Sequence, residues 1–155
     1  MKQTFISLPI VFAIILCLAF CGKNNANLDD IKIERNMITN INIKIGEKSF
    51  KATLSNNSTT FEFTKLLPLT LKMNELNANE KYAQLPKSLL TNASVPASIQ
   101  SGDLMLYGSN TLVLFYKSFS TSYSYTKIGK IDDATGLASA LGTGNVTISF
   151  ESIDK

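Results

Sequence analysis

Apolar and polar residues alternate with a period of two through most of the chain beyond residue 39. Ile41, Ile43 and Ile45 alternate with Asn42 and Lys44, Gly46-Glu47 interrupts, and Phe50, Ala52 and Leu54 alternate with Ser49, Lys51 and Thr53. This spacing predicts a β-hairpin with a two-residue type II′ turn, in which Gly46 takes the positive φ at the first central position. Leu69, Leu71 and Met73 alternate with Thr70 and Lys72 in another half-buried strand. Residues 74–101 contain Pro86, Pro96 and many Asn, Ser and Ala, and read as a long loop with a short strand near 82–85. Leu104 and Leu106 lead to a turn at Gly108-Ser109-Asn110. The next strand, 111–116, has Leu112, Val113, Leu114 and Phe115 consecutively apolar, which requires cover on both faces. Residues 125–131 predict a further strand with a bulge at Gly129, and 145–151 a closing strand that buries Val146, Ile148 and Phe150.

Two short stretches carry helical spacing instead. Thr59 followed by Glu62 has the form of a capping box ahead of Phe63, Leu66 and Leu67, so a helix is expected over about 60–67, stopped by Pro68. Asp133 is placed to cap a second helix through Leu137, Ala138 and Leu141, ended by Gly142. About eight strands and two short helices, without regular strand–helix alternation, make the chain mainly β. They favour an antiparallel barrel or closed sandwich over a doubly wound sheet.

The first twenty residues stand apart from this pattern. Met1 and Lys2 precede a run from Phe5 to Phe20 broken only by Ser7 and Pro9, which reads as a secretory signal peptide over 1–20. As a helix the run would reach about 24 Å, short of the ~30 Å hydrocarbon core. Leu18-Ala19-Phe20-Cys21-Gly22 resembles a bacterial lipoprotein signal, with Cys21 as the lipidated residue. Phe20 departs from the Gly, Ala or Ser usual before that cysteine. Ordinary cleavage nearby, leaving a soluble secreted or periplasmic protein, is the alternative. Residues 21–38 then form a polar tether, with an edge strand about 31–33, and 39–155 form the folded domain. The expected address is the bacterial cell envelope, with a membrane anchor at Cys21.

Composition narrows the chemistry. At 155 residues, 45% hydrophobic and 17% charged, the chain is sized for one globular domain. Its net charge of +3 comes with scattered lysines rather than a basic stripe, which argues against nucleic acid as a partner. There is no histidine, and of the two cysteines Cys17 leaves with the signal while Cys21 takes the lipid. No thiolate or imidazole remains for a metal or haem, so neither a metal site nor a cofactor is expected. Serine nucleophiles lack a histidine base. Asp29-Asp30 falls in the tether, and Asp132-Asp133 sits at a helix start where capping accounts for it.

The best candidate chemistry is the run from Tyr116 to Tyr125, where Tyr116, Phe119, Tyr123 and Tyr125 interleave with Ser118, Ser120, Thr121, Ser122 and Ser124. Tyrosine presents an apolar face with a polar tip, and serine adaptable donors and acceptors, a mixture suited to ligand pockets. Packing pairs and loop solvation explain the same residues equally well. Asn77, Asn79, Glu80, Lys81 and Tyr82 form a second cluster on the long loop, where an exposed ion pair is the plainer outcome. Together with Tyr107, these give the candidate binding residues: Tyr107, Tyr116, Phe119, Ser120, Tyr123, Tyr125, Glu80 and Tyr82.

The segments LLPLTLKMNELNANEKYAQLP, GDLMLYGSNTLVLFYKSFSTSYSYTKIGKID and GLASALGTGNVTISFE resemble the small bacterial cyclophilin-like domains, over roughly 39–151. The resemblance implies a closed cyclophilin-type β-barrel with short helices at its ends. It does not carry prolyl isomerase activity. Cyclophilin isomerases use an arginine in a groove with phenylalanine, glutamine and usually histidine and tryptophan, whereas this chain has no histidine, no tryptophan and one arginine, Arg35, in the tether. Fold and function are separate questions here. The expectation is a tethered module whose barrel-end pocket holds a small molecule or peptide. The alternatives are an enzyme using Glu80 or Lys81 as its acid–base group on an envelope or exported substrate, and a scaffold acting through surface contacts.

Overall fold

The computed structural model describes residues 38–153. The signal peptide, the lipidation site at Cys21, the strand near 31–33 and all of the tether except Ile38 lie outside them.

The alternating segments form eight strands: β1 (Asn40–Ile45), β2 (Lys48–Leu54), β3 (Leu69–Leu76), β4 (Glu80–Gln84), β5 (Asp103–Tyr107), β6 (Thr111–Phe115), β7 (Thr126–Ile131) and β8 (Val146–Ser152). They pair in the order β1-β2-β7-β5-β6-β4-β3-β8, and β8 returns to β1, closing a barrel in which every pairing is antiparallel. Closure leaves none of the eight strands as a free edge.

Local chemistry sets the corners. Gly46 has φ 57 while Glu47 is not among the positive-φ residues, the combination a type II′ turn requires between β1 and β2. On β7, Gly129 faces Leu104 and Lys127 faces Met105, so Ile128 is the extra residue of a bulge beside the expected glycine. Gly129 is also where β2 comes closest, since a Cβ there would lie 2.6 Å from the Thr53 carbonyl oxygen. Only a residue without a side chain fits that gap.

Both helices occur, and both are capped differently from expectation. The first, α1 (Ser58–Thr64), starts at Asn57, whose Oδ1 accepts from the Thr60 N–H at 2.8 Å. Asn57 displaces the capping box because its amide also donates to the Lys127 carbonyl, and Thr60 Oγ1 donates to the Ile128 carbonyl, tying the helix start to the bulge. Glu62 turns instead to Lys65 and Lys87. In α2 (Leu137–Leu141) the cap is Gly136, with no side-chain bond, and Asp133 accepts from the Thr135 N–H just ahead of it. Gly142 ends this helix as expected, at φ 61.

Two cores result. The barrel interior holds Ile41, Ile43, Met73, Leu104, Leu112, Leu114, Ile148 and Phe150, with Phe63 of α1 and Leu137 and Leu141 of α2 packed against them. A second cluster lies on the outer face of the β4-β6-β5-β7 wall: Ile99, Met105, Val113, Phe115 and Tyr125, with Tyr82 and Phe119 beside it. Residues on β6 divide between the two by alternation, Leu112 and Leu114 inward, Val113 and Phe115 outward. Full burial of such a side chain contributes roughly 1.5–3 kcal/mol, so the segments covering the outer face are held by packing as well as by backbone bonds.

Candidate functional site

The outer cluster is covered by two connections that clasp each other. The chain between β4 and β5 meets the chain between β6 and β7 in two antiparallel bridges, Ser94 with Tyr125 and Ile99 with Phe119, with backbone bonds of 2.8–3.2 Å. The Ser101 N–H donates to Ser118 Oγ, and Asp103 Oδ2 accepts from the Gln100 N–H. This clasp fixes the serine- and tyrosine-rich segment against the wall without closing it completely.

What it leaves open is a pocket of about 440 Å³, lined by Leu76, Asn77, Asn79, Glu80, Tyr107, Val113, Phe119, Ser120, Thr121, Ser122, Tyr123 and Tyr125. Its size falls within the range of small-molecule sites. The aromatic rings form a connected series: Tyr123 meets Tyr107 edge-on at 6.2 Å between centroids, Tyr107 meets Tyr125 at 5.6 Å, Tyr125 meets Phe115 at 5.5 Å, and Phe115 meets Phe119 at 5.7 Å. Tyr125 and Phe115 are buried, whereas Tyr107 and Tyr123 are 46% and 62% exposed, so the series runs from core to mouth. At the rim, Asn77 and Ala78 both take φ 54, a left-handed conformation that strains alanine.

Among the described residues Glu80 is the charged residue lining this pocket. It is only 9% exposed and its carboxylate makes no hydrogen bond or ion pair among the described residues. Burial, and secondarily the charge of Glu75, push its carboxyl above the usual glutamate range. Tyr125 is also raised, by burial and then by the Glu80 charge, against the opposing effect of a hydrogen bond with Thr121. Among the described residues no group of three or more acidic, cysteine or histidine side chains converges as metal donors.

Lys81, the next residue, does not share the pocket. Glu80 opens β4, so its neighbour faces the opposite way, into the barrel with Ala83 and Leu85. There Lys81 is fully buried, pairs with Glu75 directly across β3–β4, and donates to the Gly142 and Gly144 carbonyls at 3.0 and 2.6 Å. The expected exposed Glu80–Lys81 pair is therefore replaced by an interior Glu75–Lys81 pair. Tyr116 belongs to the same network: it continues the inward series Leu112, Leu114, and its hydroxyl donates to the Glu75 carboxylate at 2.9–3.0 Å. Burial first, then this bond and the Glu75 and Glu80 charges, push the Tyr116 hydroxyl up to about 12. Burial alone would raise Glu75, but bonds from Lys81 and Tyr116 outweigh it and hold that carboxyl below its ordinary value.

A family model described as the cyclophilin-like family matches residues 43–151, most of the chain. The chain belongs to the cyclophilin-like family. A search of curated proteins finds no match. In this cyclophilin-like domain, Glu80, Tyr107, Phe119, Ser120, Tyr123 and Tyr125 come together on one pocket, while Tyr116 and Tyr82 do not line it. Tyr82 faces outward opposite Val113 and packs against the second core. The pocket also differs in position from the expected barrel-end site, because it lies on the outside of the wall. Leu76 and Val113 are lining residues that sequence reasoning missed. The signal for Val113 was the four-residue apolar run, which demanded an outer cover as well as an inner core. A second cleft, about 420 Å³, lies between Lys48, Lys51, Asp132 and Asp133, where charges of both signs balance and Phe50 is the sole aromatic lining residue.

Proposed function

We propose that this cyclophilin-like domain is an exported binding module, held at the bacterial cell envelope by lipid on Cys21, that takes a small molecule or a peptide segment in the outer-face pocket and has no prolyl isomerase activity. The observation carrying the binding role is the assembly of four tyrosine and phenylalanine rings, several serine and threonine hydroxyls and one unpaired carboxyl around a single opening. Exposed rings at the mouth and buried rings at the floor suit a ligand that enters apolar end first. Rejection of isomerase activity rests on the sequence, since the single arginine, Arg35, precedes the matched region and histidine and tryptophan are absent. The envelope address rests on the signal-like N-terminus and the cysteine at its boundary.

A thermal-shift screen of a broad small-molecule and peptide library, repeated with Tyr107→Ala and Tyr123→Ala, tests the pocket. Both positions are exposed enough for the fold to survive truncation. Hits whose shifts vanish in both variants are expected; hits indifferent to both substitutions would place binding elsewhere. Metabolic labelling with a palmitate analogue should mark the wild type and not Cys21→Ala.

An enzymatic role keeps one supporting observation, the raised carboxyl of Glu80, which suits a general acid. The Glu/Lys/Tyr cluster needed for the fuller mechanism is not assembled, because Lys81 faces the interior. Turnover of a screened ligand that is lost in Glu80→Gln would favour catalysis over binding alone.

A further inference from the structure

The chain carries a net charge of +3, yet among the described residues Glu80 is the one charged residue lining the pocket. An ionised carboxylate that is 9% exposed and unpaired is costly. Among the described residues no cation lines the pocket to relieve it: the adjacent Lys81 lies on the opposite face, committed to Glu75 and two carbonyls. Beside the same pocket, Asn79 Oδ1 is a buried acceptor without a donor. The site thus has acceptors and a negative charge in excess, enclosed by Tyr107, Phe119, Tyr123 and Tyr125. Aromatic faces attract cations, the more strongly when water is excluded.

We infer that the pocket takes the positively charged, N–H-bearing end of an organic cation, an alkylammonium or guanidinium, with Glu80 as its counter-ion and Tyr107, Tyr123 and Tyr125 as its aromatic walls. This rests on the binding role proposed above and adds the chemical class of the ligand. An anion would be repelled by Glu80. A neutral ligand could donate a hydrogen bond to the carboxylate but would leave its charge uncompensated. A free amine and the side chain of a lysine-bearing peptide present the same group.

The test is calorimetric titration of the purified full chain with three probes of one shape: benzylammonium, benzyl alcohol and benzoate. Benzylammonium is expected to bind at least tenfold more tightly than benzyl alcohol, and benzoate more weakly than either. Glu80→Gln should erase the tenfold preference for benzylammonium over benzyl alcohol. Acetyl-Gly-Lys-Gly-amide, compared with its norleucine counterpart, identifies the source. A lysine preference larger than that of benzylammonium over benzyl alcohol points to a peptide, and a smaller one to a free amine. Equal affinity for all three benzyl probes, with binding still lost in Tyr123→Ala, would overturn the cation inference and leave the binding role standing. Failure of every cationic probe, while the library screen yields pocket ligands that are neutral or anionic, would overturn it too. A library with no pocket ligand of any charge would instead remove the binding role beneath it.

Discussion

Replacing Glu80 with glutamine should make the protein more stable, and the gain should depend on pH. Glutamine keeps the shape of glutamate and removes the charge. In the native state the Glu80 carboxyl is buried to 9% exposure, has no hydrogen-bond or ion-pair partner among the described residues, and lies within reach of the Glu75 charge. The amide is left as unpartnered as the neutral acid, so what the variant removes is the added cost of the buried charge, roughly 1–3 kcal/mol. The lower end applies because the group borders an open pocket, so the expected gain is about 1 kcal/mol, or about 4 °C in Tm for a domain of this size. Because burial raises the folded-state pKa above that of the unfolded chain, near 4.3, the native protein holds this proton longer as pH rises. Glu80 is therefore least harmful below the unfolded value, and its cost grows as pH climbs through the folded one. Urea unfolding of wild type and Glu80→Gln at pH 4 and pH 8 should give near-equal stabilities at the lower pH and the full advantage of the variant at the higher. A variant less stable than wild type at pH 8 would mean the carboxylate is stabilised by the fold. A gain independent of pH would mean that packing, rather than charge, is responsible.

Three further outcomes follow from the interior. Glu75→Gln strips the countercharge from Lys81, which is fully buried, and should cost about 3 kcal/mol in chemical denaturation; a loss below 1 kcal/mol would contradict the pairing. Ultraviolet titration should show one of the five tyrosines ionising last, near 12, and Tyr116→Phe should remove that step. Gly129→Ala must push β2 and β7 apart to relieve a 2.6 Å contact with backbone oxygen, so a loss of roughly 2–3 kcal/mol is expected, with no loss if the gap can open freely.

The parts of the fold that were legible in the sequence are those where local and tertiary demands agree. Ile41, Ile43 and Ile45 alternate because one face of β1 is interior and the other is not, and the four apolar residues from Leu112 to Phe115 report two covered faces. The site was half legible. Its tyrosines and serines announce a polar-aromatic surface by type, but the rest of its lining depends on which residues the barrel brings beside them, and no local pattern ties Leu76 or Val113 to Tyr123. Lys81 shows how the reading failed. A lysine at an interior position breaks the alternation that would have revealed the start of β4, so Glu80 and Lys81 read as loop neighbours rather than opposite faces of a strand. Glu75, opposite it across the β3–β4 turn, and the carbonyls beyond α2, some sixty residues on, make that position tenable. Tyr116 reads by type with the aromatic run that follows it, although the period-two series Leu112, Leu114, Tyr116 points it inward. Asn57 displaced the capping box at Thr59 for a similar reason, since its second bond reaches Lys127, seventy residues away.

The most direct test of the outer-face pocket as the binding site is the amide chemical-shift map of the isotope-labelled protein with a ligand from the screen. Shifts should concentrate at Glu80, Tyr107 and the segment from Phe119 to Tyr125. Shifts concentrated instead around Lys48, Lys51 and Asp133, in the second cleft, would contradict it.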